Sequence, residues 1–299
     1  MTIDQLGANT SCLANFTLGN AIGQIRKLGF RGIALLAYPN TRCSHGDLAG
    51  FWFRQMSDQE HEALKSLIAN FRRCAIHAPF ADHPLFSYDP RVEQLSRDRV
   101  EEAIDAASYL GAQVVTVHAN PKPNFTAHEY WNEMVDTLRS LGWYALDRGV
   151  RIGVETGYPD RTEQMVDLLE AIALPSVGVT LDVGHAIRYV GRDPRGTTEA
   201  VELLNQQLVD MIRQLGPLVI HCHIHDVLAS DWSDHRAVGR GVIDFRRLLQ
   251  ELQTSGYEGM LELELEEDDQ VNALVESKRR LESLLLPVRH RTSASRRAA

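Results

Sequence analysis

The chain contains few cysteines and no long apolar run. Its 299 residues include four cysteines, Cys12, Cys43, Cys74 and Cys222, and no two of them form a Cys-x-x-Cys pair. A disulfide-stabilised scaffold of this length would need far more, so a reduced, cytoplasmic setting is expected. The N-terminus has no basic segment followed by an apolar run, and no apolar stretch could span a membrane. Neither a signal peptide nor a membrane partner is therefore expected.

Basic residues are also in short supply. The chain carries 31 lysine and arginine residues against 40 aspartate and glutamate residues, which gives a net charge of -9. A protein that binds DNA or RNA needs a broad cationic surface to displace the counterions of the phosphates. Nucleic acid is therefore disfavoured as a partner, although a local basic groove on an acidic protein would fit this balance.

Short apolar, strand-like runs alternate with helix-like segments along the chain. The run from Ile33 to Ala37 is continuously apolar and is bounded by glycine and proline, which is typical of a parallel strand buried on both faces. Ser57 and Glu60 form a capping box that begins one helix, and Gly111 ends another. Strands are predicted at residues 4–9, 32–38, 74–77, 114–118, 152–155, 177–182, 218–226 and 260–266, each followed by a helix.

These eight strand–helix units favour one domain. They occupy residues 1–288 and leave no stretch for a second domain, so we predict an α/β protein that forms a single (β/α)8 TIM barrel. The tail at residues 289–299 is rich in serine, alanine and arginine, lacks an apolar face and is expected to be disordered. Assembly into a homo-oligomer is left open.

The last predicted strand has a different pattern from the others. Leucines at positions 261, 263 and 265 alternate with glutamates at positions 262, 264 and 266. Side chains alternate between the two faces of a strand, so the leucines should face the helices and the glutamates the barrel interior. Inward carboxylates are costly unless they are paired or bound to a metal, which predicts a polar barrel interior near this rim.

Two long loops follow the second and third predicted strands. Residues 39–57 include Phe51 and Trp52, and residues 79–89 include Phe80, Phe86 and Tyr88. Both loops should lie at the carboxyl ends of the strands, where barrel enzymes build their active sites. Their aromatic side chains either shape a substrate pocket or pack the loops against the barrel.

Acidic and histidine residues fall at the ends of successive predicted strands. Four of them, at the ends of strands five to eight, form the strongest group: Glu155, Asp182, His223 and Glu264. Carboxylates and one imidazole suit Mn²⁺, Zn²⁺, Fe²⁺ or Co²⁺, and Mg²⁺ is also compatible, in a site that keeps positions open for water or substrate oxygens. Because all four would lie at the functional end of the barrel, we predict a divalent-metal site rather than buried ion pairs.

A second group supplies further candidates. Its members are His77, His118, His185, Asp234 and His235. His77 and His118 end strands three and four and could complete a second metal position that shares Glu155. Alternatively, these histidines orient the metal ligands by hydrogen bonds. His221 and His225 flank His223 at a spacing of two, so all three should point to one face at different depths.

Several of these segments together carry a family resemblance. They are Leu181-Asp182-Val183-Gly184-His185, His223-Ile224-His225-Asp226, the run from Asp234 to Phe245, Gly256-Tyr257-Glu258-Gly259, and Glu264. Their order and spacing resemble the xylose-isomerase-like sugar phosphate isomerase/epimerase superfamily, which also contains the endonuclease IV type of abasic-site nuclease. The resemblance extends from His77 to Glu264. It implies a (β/α)8 barrel with a divalent metal held by Glu155, Asp182, His223 and Glu264.

The resemblance implies an enzyme that isomerises or epimerises a small polyhydroxy carbonyl compound, such as a sugar, a sugar phosphate or a keto-polyol. In such members a metal-stabilised enediolate forms, and two glutamates remove and return the proton. Here these would be Glu155 and Glu264, each both ligand and acid/base. His185 would hold a substrate oxygen, and Arg240 is a further candidate contact.

Three alternatives remain open. A dehydratase or lyase acting on a keto-polyol would need the same enediolate. An endonuclease IV-like phosphodiesterase would use the additional histidines. Two departures from the nuclease pattern oppose it: Asp234 and His235 are adjacent, where the pattern separates the two residues by one position, and Ser233 stands where the pattern has an aspartate. A non-catalytic, metabolite-handling barrel is the third alternative, since a fold alone does not prove activity.

Overall fold

Eight parallel strands close into a barrel. The computed structural model describes residues 1–39, 41–43, 45–190 and 196–286. The first strand pairs with both the second and the eighth, so the sheet has no free edge. The barrel strands are β1 (Leu6–Asn9), β2 (Gly32–Leu36), β3 (Arg73–His77), β4 (Val114–Val117), β5 (Arg151–Glu155), β6 (Val177–Asp182), β7 (Val219–Ile224) and β8 (Leu261–Leu263).

One long helix follows each strand. These helices are α1 (Leu18–Lys27), α2 (Asp58–Ile68), α3 (Pro90–Leu110), α4 (Trp131–Leu146), α5 (Thr162–Ile172), α6 (Thr198–Leu215), α7 (Phe245–Thr254) and α8 (Gln270–Leu285). The predicted single (β/α)8 TIM barrel is confirmed. The expected disordered tail at residues 289–299 lies outside the described residues.

The helices bury one apolar face against the strands. In α7 the buried side chains are Phe245, Leu248, Leu249 and Leu252, which recur at the spacing of one helical face. Ser57 makes the predicted capping box with Glu60, and Gly111 takes the left-handed conformation that ends α3. None of the helices in the described residues is long and apolar enough to cross a membrane.

β7 is shorter than predicted because the chain turns away after Ile224. The carboxylate of Asp226 accepts hydrogen bonds from the backbone N–H groups of Val227, Gly239, Gly241 and Ile243, at 2.9–3.0 Å. This network folds residues 226–243 into a compact loop. Gly241 is required there, since a Cβ atom would lie 2.2 Å from the carbonyl oxygen of Val227.

The loop after β2 contains an antiparallel hairpin that the sequence pattern does not predict. Its strands are Thr41–Cys43 and Gly46–Leu48. Arg42 and Asp47 form an ion pair across the hairpin at 2.6 Å. Because the loop follows the carboxyl end of β2, the hairpin lies on the face of the barrel where the strand-end carboxylates and histidines gather.

Candidate metal centre

The predicted ligands meet at the carboxyl end of the barrel. Glu155 and Asp182 are the last residues of β5 and β6, His223 is the penultimate residue of β7, and Glu264 follows β8 directly. The ends of neighbouring parallel strands lie side by side, so the four side chains come together even though 109 positions separate Glu155 from Glu264 in the sequence. Asp182, His223 and Glu264 offer ligand atoms that all lie within 4.8 Å of one another.

His223 Nδ1 lies at the centre of this group. It is 2.8 Å from Glu264 Oε2, 3.6 Å from Asp182 Oδ2 and 3.8 Å from Glu155 Oε2. Within the described part of the chain, His223 Nδ1 and Glu155 Oε2 are buried and have no partner in hydrogen-bond geometry. Buried polar atoms normally have partners, so the convergence of these two atoms fits a cation that they would share.

A second set of donors lies beside the first. His118 Nε2 is 2.7 Å and His77 Nε2 is 3.4 Å from Glu155 Oε2. The Nδ1–H group of His77 donates to the carbonyl oxygen of Ala78 at 2.8 Å, so Nε2 is the ring nitrogen that faces Glu155. His77, His118 and Glu155 therefore have the arrangement of a second metal position that shares one carboxylate with the first.

The remaining candidates surround Asp182 and the cavity. The backbone N–H of His185 donates to Asp182 Oδ1 at 2.9 Å, and its ring Nδ1–H donates to the carbonyl oxygen of Thr156 at 2.7 Å. His235 Nδ1 lies 3.1 Å from Asp234 Oδ1. His185 and His235 line the cavity described below, whereas Asp234 supports His235 from the side.

Two interactions of His225 were not anticipated from the sequence. Its Nε2–H lies 3.0 Å from both carboxylate oxygens of Asp182, and its Nδ1 accepts from the backbone N–H of His235 at 2.8 Å. The ring also stacks on His235 with centroids 4.2 Å apart. The same-face spacing of His221, His223 and His225 signalled that these histidines lie together, but it did not reveal that His225 holds Asp182.

The electrostatics keep the carboxylates ionised. Burial alone would raise the pKa of Glu264, but the neighbouring His223, His77 and His235 lower it to about 2. The pKa of Asp182 is also held well below its ordinary value, because His185, His225 and His223 outweigh its burial. Burial lowers the pKa of His118, which favours its neutral form. Burial also acts to lower the pKa of His223, but Glu264, Glu262 and Glu155 raise it well above the ordinary value, so a cation bound at His223 would have to displace a proton. Ionised carboxylates and a neutral imidazole are the forms that bind a divalent cation.

A cavity of about 380 Å³ opens onto these side chains. Leu48 of the hairpin and Phe80 contribute to its lining, and the ring of Phe80 stacks on His118 with centroids 4.3 Å apart. The cavity is lined by Ser11, Tyr38, His45, Leu48, His77, Phe80, His118, Asn120, Glu155, His185, Arg188, His235, Glu264 and Glu266. A cavity of about 360 Å³ lies at the opposite end of the barrel, around Arg73, Arg151 and Tyr257, but none of the four candidate metal ligands lines it.

Other predicted side chains lie elsewhere. Arg240 forms ion pairs with Glu267, Asp269 and Glu276 and does not line the cavity. Among the loop aromatics, Phe51 and Phe86 are buried in the core and Phe80 lines the cavity. The loops therefore contribute in both ways that the sequence left open: Phe80 shapes the pocket, and the other two hold the loops against the barrel.

The protein is a TIM barrel whose carboxyl end carries carboxylate and imidazole side chains that could hold a metal ion. The chain belongs to the xylose isomerase-like TIM barrel family, whose model matches residues 22–284. This confirms the superfamily inferred from the strand-end motifs.

Three relatives illustrate the range of the family. The chain is 29% identical over 199 residues to the uncharacterized protein MJ1311 of Methanocaldococcus jannaschii, which covers 63% of each chain. It is 29% identical over 181 residues to a 3-dehydroshikimate dehydratase of Pseudomonas putida, covering 58% of this chain and 27% of the dehydratase. It is 25% identical over 183 residues to a probable endonuclease 4 of Mesomycoplasma hyopneumoniae, covering 58% of this chain and 62% of the relative. The chain thus spans less than two thirds of each of these three relatives.

Solved structures share the fold across almost the whole chain. A D-tagatose 3-epimerase-like protein superposes with a TM-score of 0.70 at 21% identity, covering 93% of this chain and 98% of the other. A D-psicose 3-epimerase determined in the presence of D-fructose superposes with a TM-score of 0.67 at 17% identity, covering 94% and 96%. At these identities the likeness shows the fold.

Proposed function

We propose that the protein is a divalent-metal-dependent isomerase or epimerase of a small polyhydroxy carbonyl compound. One observation carries the proposal. The strand-end donors converge on His223 Nδ1, and two of them, Glu155 and Glu264, line a cavity of about 380 Å³. A cavity of this size accommodates a ligand as large as a sugar.

Four residues would hold the cation: Glu155, Asp182, His223 and Glu264. The set of three carboxylates and one imidazole fits Mn²⁺, Co²⁺, Fe²⁺, Zn²⁺ or Mg²⁺. When bound, such a cation would polarise adjacent carbonyl and hydroxyl oxygens of the substrate and offset the charge that develops on proton loss. His77 and His118 offer a second position through their shared contact with Glu155.

Glu155 and Glu264 would move the proton. They approach His223 Nδ1 from different strands, at 3.8 and 2.8 Å, so a substrate carbon above the cluster would be flanked by two carboxylates. A low pKa keeps each carboxylate ionised at neutral pH and able to accept a proton. One glutamate would take the proton from the carbon beside the carbonyl, and the other would return one, which yields an isomer or an epimer. His185 would contribute a ring nitrogen to a substrate oxygen.

Metal content and solvent exchange test this proposal. The protein should retain or bind at least one divalent ion per chain, measured by elemental analysis after purification without chelator. With the metal present, it should incorporate solvent deuterium into at least one member of a panel of ketoses, ketose phosphates and inososes. A protein that binds no divalent ion would overturn the proposal.

Glu264→Gln should reduce this exchange by about 10²–10⁴-fold, because it removes the proton acceptor and a ligand charge. The fold should persist, as judged by circular dichroism. The matched control is Glu258→Gln, an exposed glutamate before β8 at the opposite end of the barrel, which should exchange like the wild type. Normal turnover by Glu264→Gln would remove Glu264 from the mechanism.

Two relatives supply second candidates. The similarity to a 3-dehydroshikimate dehydratase favours a related reaction in which proton removal is followed by loss of water. A product with altered mass in the same exchange assay would identify this dehydration.

The similarity to a probable endonuclease 4, together with the His77–His118–Glu155 cluster, favours phosphodiester cleavage. Cleavage of abasic-site DNA that is abolished by His118→Gln would establish that reading and exclude the isomerase. Inertness in every assay would favour the non-catalytic alternative.

A further inference from the structure

A buried carboxylate lies directly beneath the candidate metal centre. Glu262, on β8, is 1% exposed. Its Oε1 accepts from Asn9 Nδ2 at 2.7 Å, and its Oε2 accepts from His221 Nε2 at 2.6 Å. No lysine or arginine in the described part of the chain forms an ion pair with it. Burying a carboxylate without a lysine or arginine partner is costly even when both oxygens accept hydrogen bonds, so this arrangement needs a reason beyond packing.

Glu262 is the cross-strand neighbour of His223. The two residues lie opposite each other in the β7–β8 register, and Glu262 Oε1 is 3.9 Å from His223 Nε2. The His223 ring therefore lies between two glutamates. Its Nδ1 faces Glu264, which lines the cavity, and its Nε2 faces Glu262. Within the described residues, both ring nitrogens are buried and have no partner in hydrogen-bond geometry.

A metal ion held by His221, His223 and Glu262 is the competing explanation, since their ligand atoms also lie within 4.8 Å of one another. The contacts disfavour it. His221 and Glu262 already form a hydrogen bond at 2.6 Å, and Asn9 presents an N–H donor, which would repel a cation. A metal at this depth would have to break both hydrogen bonds.

We infer that Glu262 is a positioning residue for His223. With the metal bound, its carboxylate would accept the Nε2–H of His223, which lies 3.9 Å away, and so would hold the ring in the tautomer whose Nδ1 lone pair faces the metal position. Asn9 and His221 fix the carboxylate from below. The distance between Glu262 Oε1 and His223 Nε2 would have to shorten by about 1 Å to reach the usual length of a charge-assisted hydrogen bond. Histidine ligands generally donate their second N–H to such a partner, which fixes the ring and raises its basicity. The inference rests on the proposed metal site.

The wild-type protein provides the first test. After loading with Zn²⁺, long-range ¹H–¹⁵N spectra of histidine-labelled protein should show His223 protonated at Nε2 and coordinated through Nδ1, with assignment from His223→Gln. Coordination through Nε2 would overturn the inference without any mutation at position 262. A wild type that binds no divalent ion would overturn both this inference and the proposed function.

Glu262→Gln provides the second test. The Kd for Mn²⁺, measured by competition with a chelating dye, should rise about 10–100-fold, and the His223 Nε2 resonance should shift. The matched control is Glu102→Gln, which alters another buried glutamate, bound to Arg99 and the backbone of Arg54 far from the cavity. It should lower thermal stability while leaving the Mn²⁺ affinity unchanged.

Three outcomes would refute the assignment of Glu262 while leaving the proposed function intact. An unchanged Kd with unchanged His223 resonances would mean that Glu262 only supports the fold. Equal losses of affinity in Glu262→Gln and Glu102→Gln would have the same meaning. Loss of one whole metal equivalent in Glu262→Gln, with the remaining affinity unchanged, would establish the deeper metal position instead.

Discussion

Glu262, Glu264 and Glu266 alternate along one short segment, yet each lies in a different environment. Glu262 is buried in hydrogen bonds to Asn9 and His221, whereas Glu264 contacts His223 at the cavity. Glu266 lies at the rim, where its side chain is 44% exposed and lies 3.5 Å from His45. The alternation predicted their common inward direction. Their depths within the barrel differ: Glu262 lies deepest, Glu264 lies at the candidate metal centre, and Glu266 lies at the rim.

Asp105 offers a test of single-residue electrostatics away from the cavity. Burial would raise its pKa, but hydrogen bonds from Arg54, Arg148 and Tyr144 lower it below the ordinary value. A lowered folded-state pKa stabilises the protein above the unfolded-state pKa of about 3.9, and this contribution is lost as the pH falls further. Asp105→Asn should therefore reduce the free energy of unfolding by about 1–2 kcal/mol at pH 7.

Urea unfolding from pH 7 to pH 3.5 would measure the difference in free energy of unfolding between Asp105→Asn and the wild type. This difference should narrow below about pH 4. Asp136→Asn is the control, because the contact that Asp136 makes among the described residues is an exposed ion pair with Arg139 on the same helix. That variant should stay within about 0.5 kcal/mol of the wild type at every pH. A difference for Asp105→Asn that stayed constant with pH would mean that the charge of Asp105 contributes nothing.

At the scale of elements, the loop that follows β3 depends on its aromatic side chains. Phe86 is completely buried and its ring packs on Tyr130, with centroids 5.3 Å apart. Tyr88, two residues later, is 60% exposed. Both rings contact the segment before α4, but only Phe86 does so from a fully buried position; the exposed Tyr88 contacts Pro123 and Phe125 at the surface. This attachment holds Phe80 of the same loop over His118 and the cavity.

Phe86→Ala should lower the free energy of unfolding by about 3–5 kcal/mol, because it removes a fully buried ring and leaves a cavity. Chemical denaturation would measure the loss. Tyr88→Ala is the matched control and should change stability by no more than about 1 kcal/mol. Similar losses in the two variants would show that the burial of Phe86 does not hold the loop.

For the whole molecule, closure of the barrel brings the site together. Glu155, Asp182, His223 and Glu264 come from four strands, and His77 and His118 from two more, so the candidate centre exists only when the sheet is closed. A cation that these residues share would bind the folded protein and not the unfolded chain. Metal binding and global stability should therefore be coupled.

This coupling predicts a shift in Tm. Mn²⁺ at about 100 times its Kd should stabilise the chelator-treated protein by about 2.7 kcal/mol, which corresponds to a rise in Tm of about 5 °C. Differential scanning calorimetry with and without Mn²⁺ would measure it. Asp182→Asn should abolish the rise because it removes a ligand charge, while the exposed Asp136→Asn should retain it. Equal Tm values with and without Mn²⁺ in the wild type would contradict the proposed centre.

The sequence by itself determined the barrel, because each strand and helix has a local signature. The apolar run from Ile33 to Ala37, the capping box at Ser57 and the end of α3 at Gly111 are short-range patterns, and they recur in the structure. The location of the strongest donors followed from the same logic, since parallel strands of a closed barrel must present their carboxyl ends together.

Only the tertiary structure decided which side chains touch. Distances between segments far apart in the chain decide three features: the hydrogen bond of His225 to Asp182, the hydrogen bond of Asn9 to Glu262, and the position of Arg240 outside the cavity. Periodicity specifies the face on which a side chain lies, but not its depth or its partner across the barrel. The depth of a side chain and its partner are set by strand register and by loops such as the one stabilised by Asp226. Neither strand register nor such a loop has a local signature in the sequence.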